Sequence, residues 1–144
     1  RLEPGHGVLE IGTGSACVAV AIAHHCPGVL IDATDISTQA LTVAAINTKG
    51  WEEQIRLIQS DLFSAIEGQY QVIVSNPPYH FEYETNIEVA LDLFKQVHKK
   101  LKTSGHFQMV SAVSLNFKTH LTKLFSKVEI LAENDKFIVY DCVK

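Results

Sequence analysis

The chain has 144 residues, of which 47% are hydrophobic and 19% charged, and its formal net charge at pH 7 is −4. This length is typical of one domain that folds without a disulfide framework. The composition excludes an intrinsically disordered chain, and the negative charge excludes nucleic-acid binding through an overall basic surface. Its three cysteines, Cys17, Cys26 and Cys142, lack CxxC spacing, so we expect no metal site and a reducing, cytoplasmic setting. The longest apolar stretch, residues 18–23, is too short to span a bilayer, so no membrane association is expected.

The rest of the sequence alternates between short apolar runs and segments with helical periodicity. In chain order these patterns predict strand 8–11, helix 16–25, strand 30–35, helix 38–49, strand 55–60, strand 70–75, helix 85–101, strand 106–112, helix 117–125, and strands 128–132 and 137–143. Gly50 ends the second predicted helix and Gly105 the third, because glycine commonly follows the last helical turn. Residues 133–136 separate the last two strands and predict a hairpin turn.

This alternation predicts an α/β fold of the Rossmann-like kind, with seven strands in a mostly parallel sheet. Right-handed crossovers connect the parallel strands, and the C-terminal hairpin adds one antiparallel strand. We expect residues 1–144 to form a single catalytic domain built on this sheet. Ligands bind such sheets at the carboxyl ends of the strands. Each motif described next follows a predicted strand at that edge.

A glycine-containing loop, Glu10-Ile11-Gly12-Thr13-Gly14, connects the first predicted strand to the first predicted helix. Glycine lets the backbone turn tightly and come close to a ligand. The dinucleotide fingerprint GxGxxG would need a further glycine where Cys17 stands, which disfavours a nicotinamide cofactor. Either this acidic-x-Gly-x-Gly pattern binds a different cofactor, or the loop is a plain turn between a strand and a helix.

Two aspartates follow the next two predicted strands. Asp35 lies about 20 residues beyond the glycine loop, where a carboxylate can accept hydrogen bonds from both hydroxyls of a ribose. The alternative role of Asp35 is to cap the helix that follows. Asp61 stands in Ser60-Asp61-Leu62-Phe63 after the third strand, and its alternative role is that of a cap or turn residue.

The fourth predicted strand ends in Asn76-Pro77-Pro78-Tyr79. Each proline forces the residue before it into an extended conformation, so this segment is stiff. Because neither proline has an N–H, the Asn76 amide oxygen and the Pro77 carbonyl are both available to accept from one substrate NH2 group. Tyr79 offers a flat face on which a base or an amide plane can stack. The pattern favours a reaction at a conjugated amino nitrogen, while the alternative is a proline turn after a strand.

Taken in this order, the motifs resemble the small-domain class I S-adenosylmethionine-dependent methyltransferases that carry (D/N)PP(Y/F), and the likeness covers nearly the whole chain. The resemblance implies S-adenosyl-L-methionine as cofactor and transfer of its methyl group to a planar nitrogen. It also implies that Asp61 meets the adenine amino group and that a neighbouring apolar residue lies against the ring. The cofactor-binding residues that it implies are Glu10, Gly12, Thr13, Gly14, Asp35, Ile36, Asp61, Leu62 and Asn76. The catalytic residues that it implies are Asn76, Pro77, Pro78 and Tyr79.

Two branches of this group fit the sequence. Residues 60–63 and 76–79 lean toward protein glutamine-N5 methyltransferases, which act on a release factor or a ribosomal protein. Residues 76–80, followed at once by a helix, resemble the ribosomal RNA guanine-N2 methyltransferases, as do residues 104–110, 128–133 and 136–140. Guanine N2 is therefore the preferred acceptor, with ribosomal RNA or a ribosomal particle as substrate. Both branches carry an N-terminal substrate-recognition domain, so we expect a piece of a longer protein or an unusually short relative.

A third possibility is a catalytically silent module that binds S-adenosylmethionine and supports a partner domain. The intact segment 76–79 argues against it, because a decayed copy would have no reason to keep these residues. A local basic run is formed by Lys95, Lys99, Lys100 and Lys102. We expect this run to be a solvated face near a helix end, where cations suit the helix dipole, rather than the main contact to RNA.

Overall fold

A computed structural model describes residues 2–75 and 87–144 of the chain, and the structural statements below refer to these ranges. Seven strands form one sheet: β1 (Gly7–Ile11), β2 (Leu30–Asp35), β3 (Ile55–Gln59), β4 (Tyr70–Ser75), β5 (Leu101–Ala112), β6 (Lys127–Glu133) and β7 (Phe137–Val143). Four helices are described: α1 (Cys17–His25), α2 (Thr38–Asn47), α3 (Ile87–Lys100) and α4 (Lys118–Leu124).

The sheet has the strand order β3-β2-β1-β4-β5-β7-β6. Strands β1 to β5 pair in parallel, and β7 is antiparallel to both of its neighbours, β5 and β6. This arrangement confirms the predicted α/β class and the mostly parallel sheet with its C-terminal antiparallel strand. The order reverses between β1 and β4, where Ile11 lies beside Ser75 on one side and Thr34 on the other. Such a reversal opens a crevice at the carboxyl ends of the strands, where ligands bind in sheets of this kind.

The sheet separates two hydrophobic clusters, because neighbouring residues of a strand point to opposite faces. Val8 of β1 packs with Ala19, Ala23 and Ala44 of α1 and α2, whose small side chains let the helices approach the sheet closely. The next residue, Leu9, belongs to the other cluster, which includes residues of α3 and α4 such as Phe94 and Leu121. Both clusters hold β1 from opposite sides, and they fix the position of the loop that leaves its carboxyl end.

The structure corrects the prediction around Gly105. The helix predicted for 85–101 was expected to end at this glycine, but α3 ends at Lys100 and β5 already begins at Leu101. The pairing of β4 with β5 shifts register between Tyr70 and Val72, which inserts extra residues into β5. Gly105 lies inside this bulge, where an added Cβ would be 2.8 Å from the Lys102 oxygen and 2.9 Å from the Gln71 oxygen. Glycine is therefore required by the close approach of two backbones.

Smaller differences occur at other ends. Helix α1 begins at Cys17 because Ala16, with φ 68°, has a left-handed conformation and serves as the N-cap. Helix α2 ends at Asn47 rather than residue 49, since Thr48 is its C-cap. Strand β3 ends at Gln59, one residue before the predicted end. Each of these differences is one or two residues, which is the usual uncertainty in where a helix or a strand ends.

Candidate functional site

The glycine loop follows β1, and three alternate residues of it have a left-handed backbone conformation. Gly12, Gly14 and Ala16 have φ values of 73°, 57° and 68°. A Cβ added to Gly14 would meet no atom within 4 Å, so the described residues leave space at this position for a ligand to approach the backbone. Ala16 is fully buried and occupies the place where the resembling family usually has a third glycine. Its conformation costs about 1–2 kcal/mol more than it would for glycine.

Hydrogen bonds attach this loop to β2 and to α2. The Thr13 N–H donates to the backbone carbonyl of Thr34 at 2.7 Å, and the Thr34 hydroxyl donates to the Glu10 carbonyl at 3.0 Å. At the far end of the loop, the Asn47 side-chain amide donates to the Ser15 carbonyl at 2.9 Å. The loop is therefore held in place before any ligand is bound.

Glu10 lies beneath the loop with 3% of its surface exposed. Its carboxylate accepts a hydrogen bond from the Thr13 hydroxyl and another from the Ala19 backbone. Burial raises the pKa of Glu10 to about 7, the two hydrogen bonds oppose this rise, and the nearby Asp35 carboxylate adds to it. Glu10 and Thr13, both predicted to bind cofactor, thus contact each other inside the protein.

Asp35 stands at the end of β2 and joins the loop to the start of α2. Its Oδ2 accepts from the Gly14 N–H at 3.0 Å, and its Oδ1 accepts from the Ser37 N–H at 2.9 Å. The helix cap is Ser37, whose hydroxyl accepts from the Ala40 N–H at 3.1 Å, so capping α2 is not the role of Asp35. A carboxylate oxygen has a second lone pair, so both oxygens can still accept from a ligand hydroxyl. The next residue, Ile36, is 63% exposed at the same edge.

Asp61 follows β3 at the same edge of the sheet. It is exposed, and its carboxylate has no hydrogen-bond partner within residues 2–75 and 87–144. The N–H of the preceding residue, Ser60, donates to the backbone carbonyl of Asp35 at 3.0 Å. This hydrogen bond connects the backbones next to Asp35 and Asp61, the two aspartates predicted to contact the cofactor. Leu62 has φ 52°, a left-handed conformation that is uncommon for a branched side chain.

The structure therefore brings the predicted residues of the first three strand ends together. Asn76, Pro77, Pro78 and Tyr79 lie outside the described residues, and β4 ends at Ser75, the residue before them. Sequence reasoning missed the supporting roles of Thr34, Asn47 and Ser60. For Ser60 a signal existed, since a polar residue directly after a strand and before Asp61 is well placed to hold a loop. For the other two, the backbone partner lies far away in the sequence.

Away from the carboxyl edge of the sheet, the described residues do not form a second cluster of carboxylates like that of Glu10, Asp35 and Asp61. At the amino ends of the strands, a cleft of about 460 Å³ contains Asp32, Arg56 and Tyr70. Arg56 donates twice to the Asp32 carboxylate, and the Tyr70 hydroxyl donates to it at 2.6 Å. Residues 2–75 and 87–144 hold no group of three or more His, Cys, Asp or Glu suited to a metal ion. None of the described helices is long and apolar enough to cross a membrane.

The known proteins to which this chain is similar are methyltransferases. Residues 2–141 match the family described as methyltransferase small domain. Ribosomal RNA small subunit methyltransferase C of Cronobacter sakazakii is 32% identical over 138 residues, which are 94% of this chain and 40% of that protein. Ribosomal protein uL3 glutamine methyltransferase of Neisseria meningitidis is 55% identical over 76 residues, which are 51% of this chain and 25% of that protein. The chain thus spans less than half the length of these two relatives.

A solved structure has the same fold over nearly the whole chain. The T. thermophilus 16S rRNA N2 G1207 methyltransferase, in complex with AdoMet and guanosine, superposes with a TM-score of 0.83 at 20% sequence identity. The match covers 99% of this chain and 38% of that one. At this level of identity the likeness establishes the fold, and the site must be argued from the residues themselves.

Proposed function

Because the chain belongs to the methyltransferase small domain family, we propose that its protein is an S-adenosylmethionine-dependent N-methyltransferase that acts on guanine N2 of ribosomal RNA. The observation that carries the cofactor assignment is the hydrogen bond from the Gly14 N–H to the Asp35 carboxylate. It places a glycine loop and a carboxylate at adjoining strand ends, with open space above Gly14. The Asp35 carboxylate would hold the ribose of the cofactor, and Asp61, which follows the next strand, would bind its adenine.

The donor set fits this cofactor. S-Adenosylmethionine supplies an electrophilic methyl group on a sulfonium centre when it is bound. Asp35 accepts hydrogen bonds from the ribose hydroxyls, and its two backbone donors keep its carboxylate oriented for them. Ile36 offers an exposed apolar surface to the adenine ring beside it, and Leu62 stands next to Asp61 for the same purpose.

The second half of the site is proposed from the sequence. The Asn76 amide oxygen and the Pro77 carbonyl accept the two hydrogens of the target amino group, and this directs its lone pair toward the methyl group. Pro78 stiffens the segment, and Tyr79 stacks on the plane of the base. Positioning and electrostatic stabilisation supply most of the rate in such a transfer. No side chain has to act as a general base before the methyl group moves.

The extent of the matches favours RNA as the substrate. The similarity to ribosomal RNA small subunit methyltransferase C runs through 94% of the chain and so includes the C-terminal half, whereas the match to the uL3 glutamine methyltransferase covers 51%. The higher identity of that shorter match, 55%, makes protein glutamine-N5 the second candidate. Both acceptors are planar NH2 groups, so the same cofactor site and the same two acceptors would serve either.

The proposal is tested by transfer of a radiolabelled methyl group to ribosomal particles that lack it, with RNA and protein counted separately. Label should appear in RNA at guanine N2. Asn76→Ala should lower kcat by about 10²–10³-fold with little change in cofactor affinity, because the hydrogen bond that it removes is strongest in the transition state.

Three matched variants sharpen this test. Asn76→Asp keeps an acceptor and should be less harmful than Asn76→Ala. Tyr79→Phe keeps the ring and should be nearly silent, whereas Tyr79→Ala should reduce turnover. Label in a protein glutamine would establish the second candidate, and full activity of Asn76→Ala would contradict the proposed positioning of the amino group.

A further inference from the structure

The loop that carries Asp61 is closed by two serine hydroxyls. The Ser60 hydroxyl donates to the Leu62 carbonyl at 2.7 Å and accepts from the Ala65 N–H at 3.1 Å. The Ser64 hydroxyl accepts from the Asp61 N–H at 3.1 Å, while the Ser64 N–H donates to the Asp61 carbonyl at 3.1 Å. These contacts satisfy the backbone on both sides of Asp61, so this aspartate sits in a closed turn.

Ser60 is the buried member of the pair, with 5% of its surface exposed. Its hydroxyl bridges the Leu62 carbonyl and the Ala65 N–H, two and five residues further along the chain, and Leu62 has the left-handed conformation. A left-handed conformation at a non-glycine residue persists when the surrounding contacts hold it. Phe63 and Ile66, each 6% exposed, anchor the same loop in the hydrophobic core. The Ser60 hydroxyl and this packing together hold the backbone that follows Asp61.

The backbone of Ser60 adds a connection to the ribose side of the site. Its N–H donates to the carbonyl of Asp35 at 3.0 Å. The Asp35 carboxylate is oriented from the loop of β1, and the Asp61 backbone is oriented from the loop of β3. Ser60 therefore joins the backbone at the end of β2 to the loop that follows β3.

We propose that Ser60 is a positioning residue that determines selectivity for the adenine amino group, because its hydroxyl holds the 60–65 loop in the conformation that presents Asp61. This inference rests on the proposed cofactor site. It extends that site to a residue that does not itself touch the ligand. Ser64 has a weaker role of the same kind, since it is exposed and supports Asp61 through one N–H.

The test compares two ligands of the full chain by calorimetry. One is S-adenosylhomocysteine, and the other is the same compound with hydrogen in place of the 6-amino group of its purine. The wild type should prefer the amino compound by about 10- to 100-fold, as expected for a hydrogen bond to a charged group. Asp61→Ala should abolish this preference. Ser60→Ala should reduce it to about threefold or less, while the affinity for the analogue without the amino group changes by less than about twofold.

Ser111→Ala is the matched control, because Ser111 is equally buried at 5% and, within residues 2–75 and 87–144, its hydroxyl bonds only to the neighbouring Ala112 carbonyl. It should keep the full preference. If Ser60→Ala weakens both ligands equally, the serine serves general stability and the inference is wrong. Ser64→Ala removes an exposed hydroxyl and should fold even if Ser60→Ala does not. It should lower the preference by about twofold or more, and an unchanged preference would contradict the inference that hydroxyls of the 60–65 loop hold Asp61.

The outcomes for the wild type separate this inference from the proposal on which it rests. No binding of either ligand would contradict the cofactor site and the role of Ser60 together. Binding without a preference would contradict the assignment of Asp61 and therefore of Ser60, while leaving the ribose contact of Asp35 standing. A preference that survives in Ser60→Ala would contradict the role of Ser60 alone.

Discussion

Glu10 and Asp35 place two carboxyl groups on either side of one short loop, and their surroundings differ. Asp35 is partly exposed and accepts from two backbone N–H groups. Glu10 is buried, and its pKa rises to about 7 chiefly because burial disfavours the charged form. Near neutral pH Glu10 is therefore about half protonated.

The raised pKa of Glu10 predicts that the protein loses stability as the pH rises toward and through 7. Between the ordinary carboxyl pKa of 4.5 and the folded value of about 7, the folded state holds a proton that the unfolded state has released. Proton release on unfolding means that the free energy of unfolding falls with increasing pH across this window, by about 3 kcal/mol in total. Glu10→Gln cannot ionise, so its urea-derived free energy of unfolding should vary less between pH 5 and pH 8.

The comparison with a variant matters because the chain also contains seven histidines, a residue type whose charge ordinarily changes between pH 5 and pH 8. The difference between wild type and Glu10→Gln isolates the contribution of Glu10 from theirs. The exposed Glu53→Gln is the matched control and should follow the wild-type curve. Parallel curves for the wild type and Glu10→Gln would show that Glu10 is already ionised at pH 5.

At the scale of elements, the start of β5 at Leu101 could not be predicted from the sequence. The periodicity of α3 continues to Leu101, and Gly105 has the position of a helix stop, so nothing local indicates a bulge. The reason for the glycine lies in the neighbouring strand, whose Gln71 carbonyl leaves no room for a side chain. Elements set by local periodicity were predictable, and those set by contact between distant backbones were not.

The same distinction applies to the candidate site. The positions of Gly12, Gly14, Asp35 and Asp61 at successive strand ends could be predicted, because the order of these motifs reflects the topology of the sheet; their roles in cofactor binding stay a prediction. The connections among them could not, because the Gly14–Asp35 hydrogen bond spans 21 residues and the Asn47–Ser15 bond 32 residues. Every residue has a backbone carbonyl and every residue except proline has a backbone N–H, so the sequence does not indicate which of these groups will form such a bond.

The bulge at Gly105 predicts that replacing this glycine with alanine lowers the stability of the protein more than the same change at Gly7. Gly105→Ala should destabilise the protein by about 2–3 kcal/mol, because its Cβ would lie within 3 Å of two backbone oxygens that cannot move independently. Gly7→Ala is the control, since its Cβ would meet Tyr70 at 3.4 Å, an ordinary contact distance. Urea unfolding of both variants measures the effect, and equal stability of the two would show that β5 can relax around the added methyl group.

At the scale of the molecule, charge limits how RNA could be bound. Sixteen acidic residues outnumber twelve basic ones, so the proposed RNA substrate would require a local contact surface. The most obvious basic cluster lies at the end of α3, but its lysines are not equivalent. Lys95 and Lys99 are exposed, whereas the Lys100 ammonium donates to the Ile66 carbonyl at 2.9 Å and is already engaged with the protein.

This distribution predicts that the basic run contributes little to RNA binding. Removal of a lysine that binds one phosphate should reduce the slope of log K against log salt by about 0.7–0.9. We expect the double variant Lys95→Ala, Lys99→Ala to change that slope by less than about 0.5 when binding to ribosomal RNA is titrated between 50 and 200 mM salt. Lys100→Ala should instead lower the free energy of unfolding, since it frees the Ile66 carbonyl and loosens the loop that begins at Ser60. A fall in slope of about 1.4 or more in the double variant would mean that both lysines bind phosphates, and that RNA lies along α3 as well as over the carboxyl edge of the sheet.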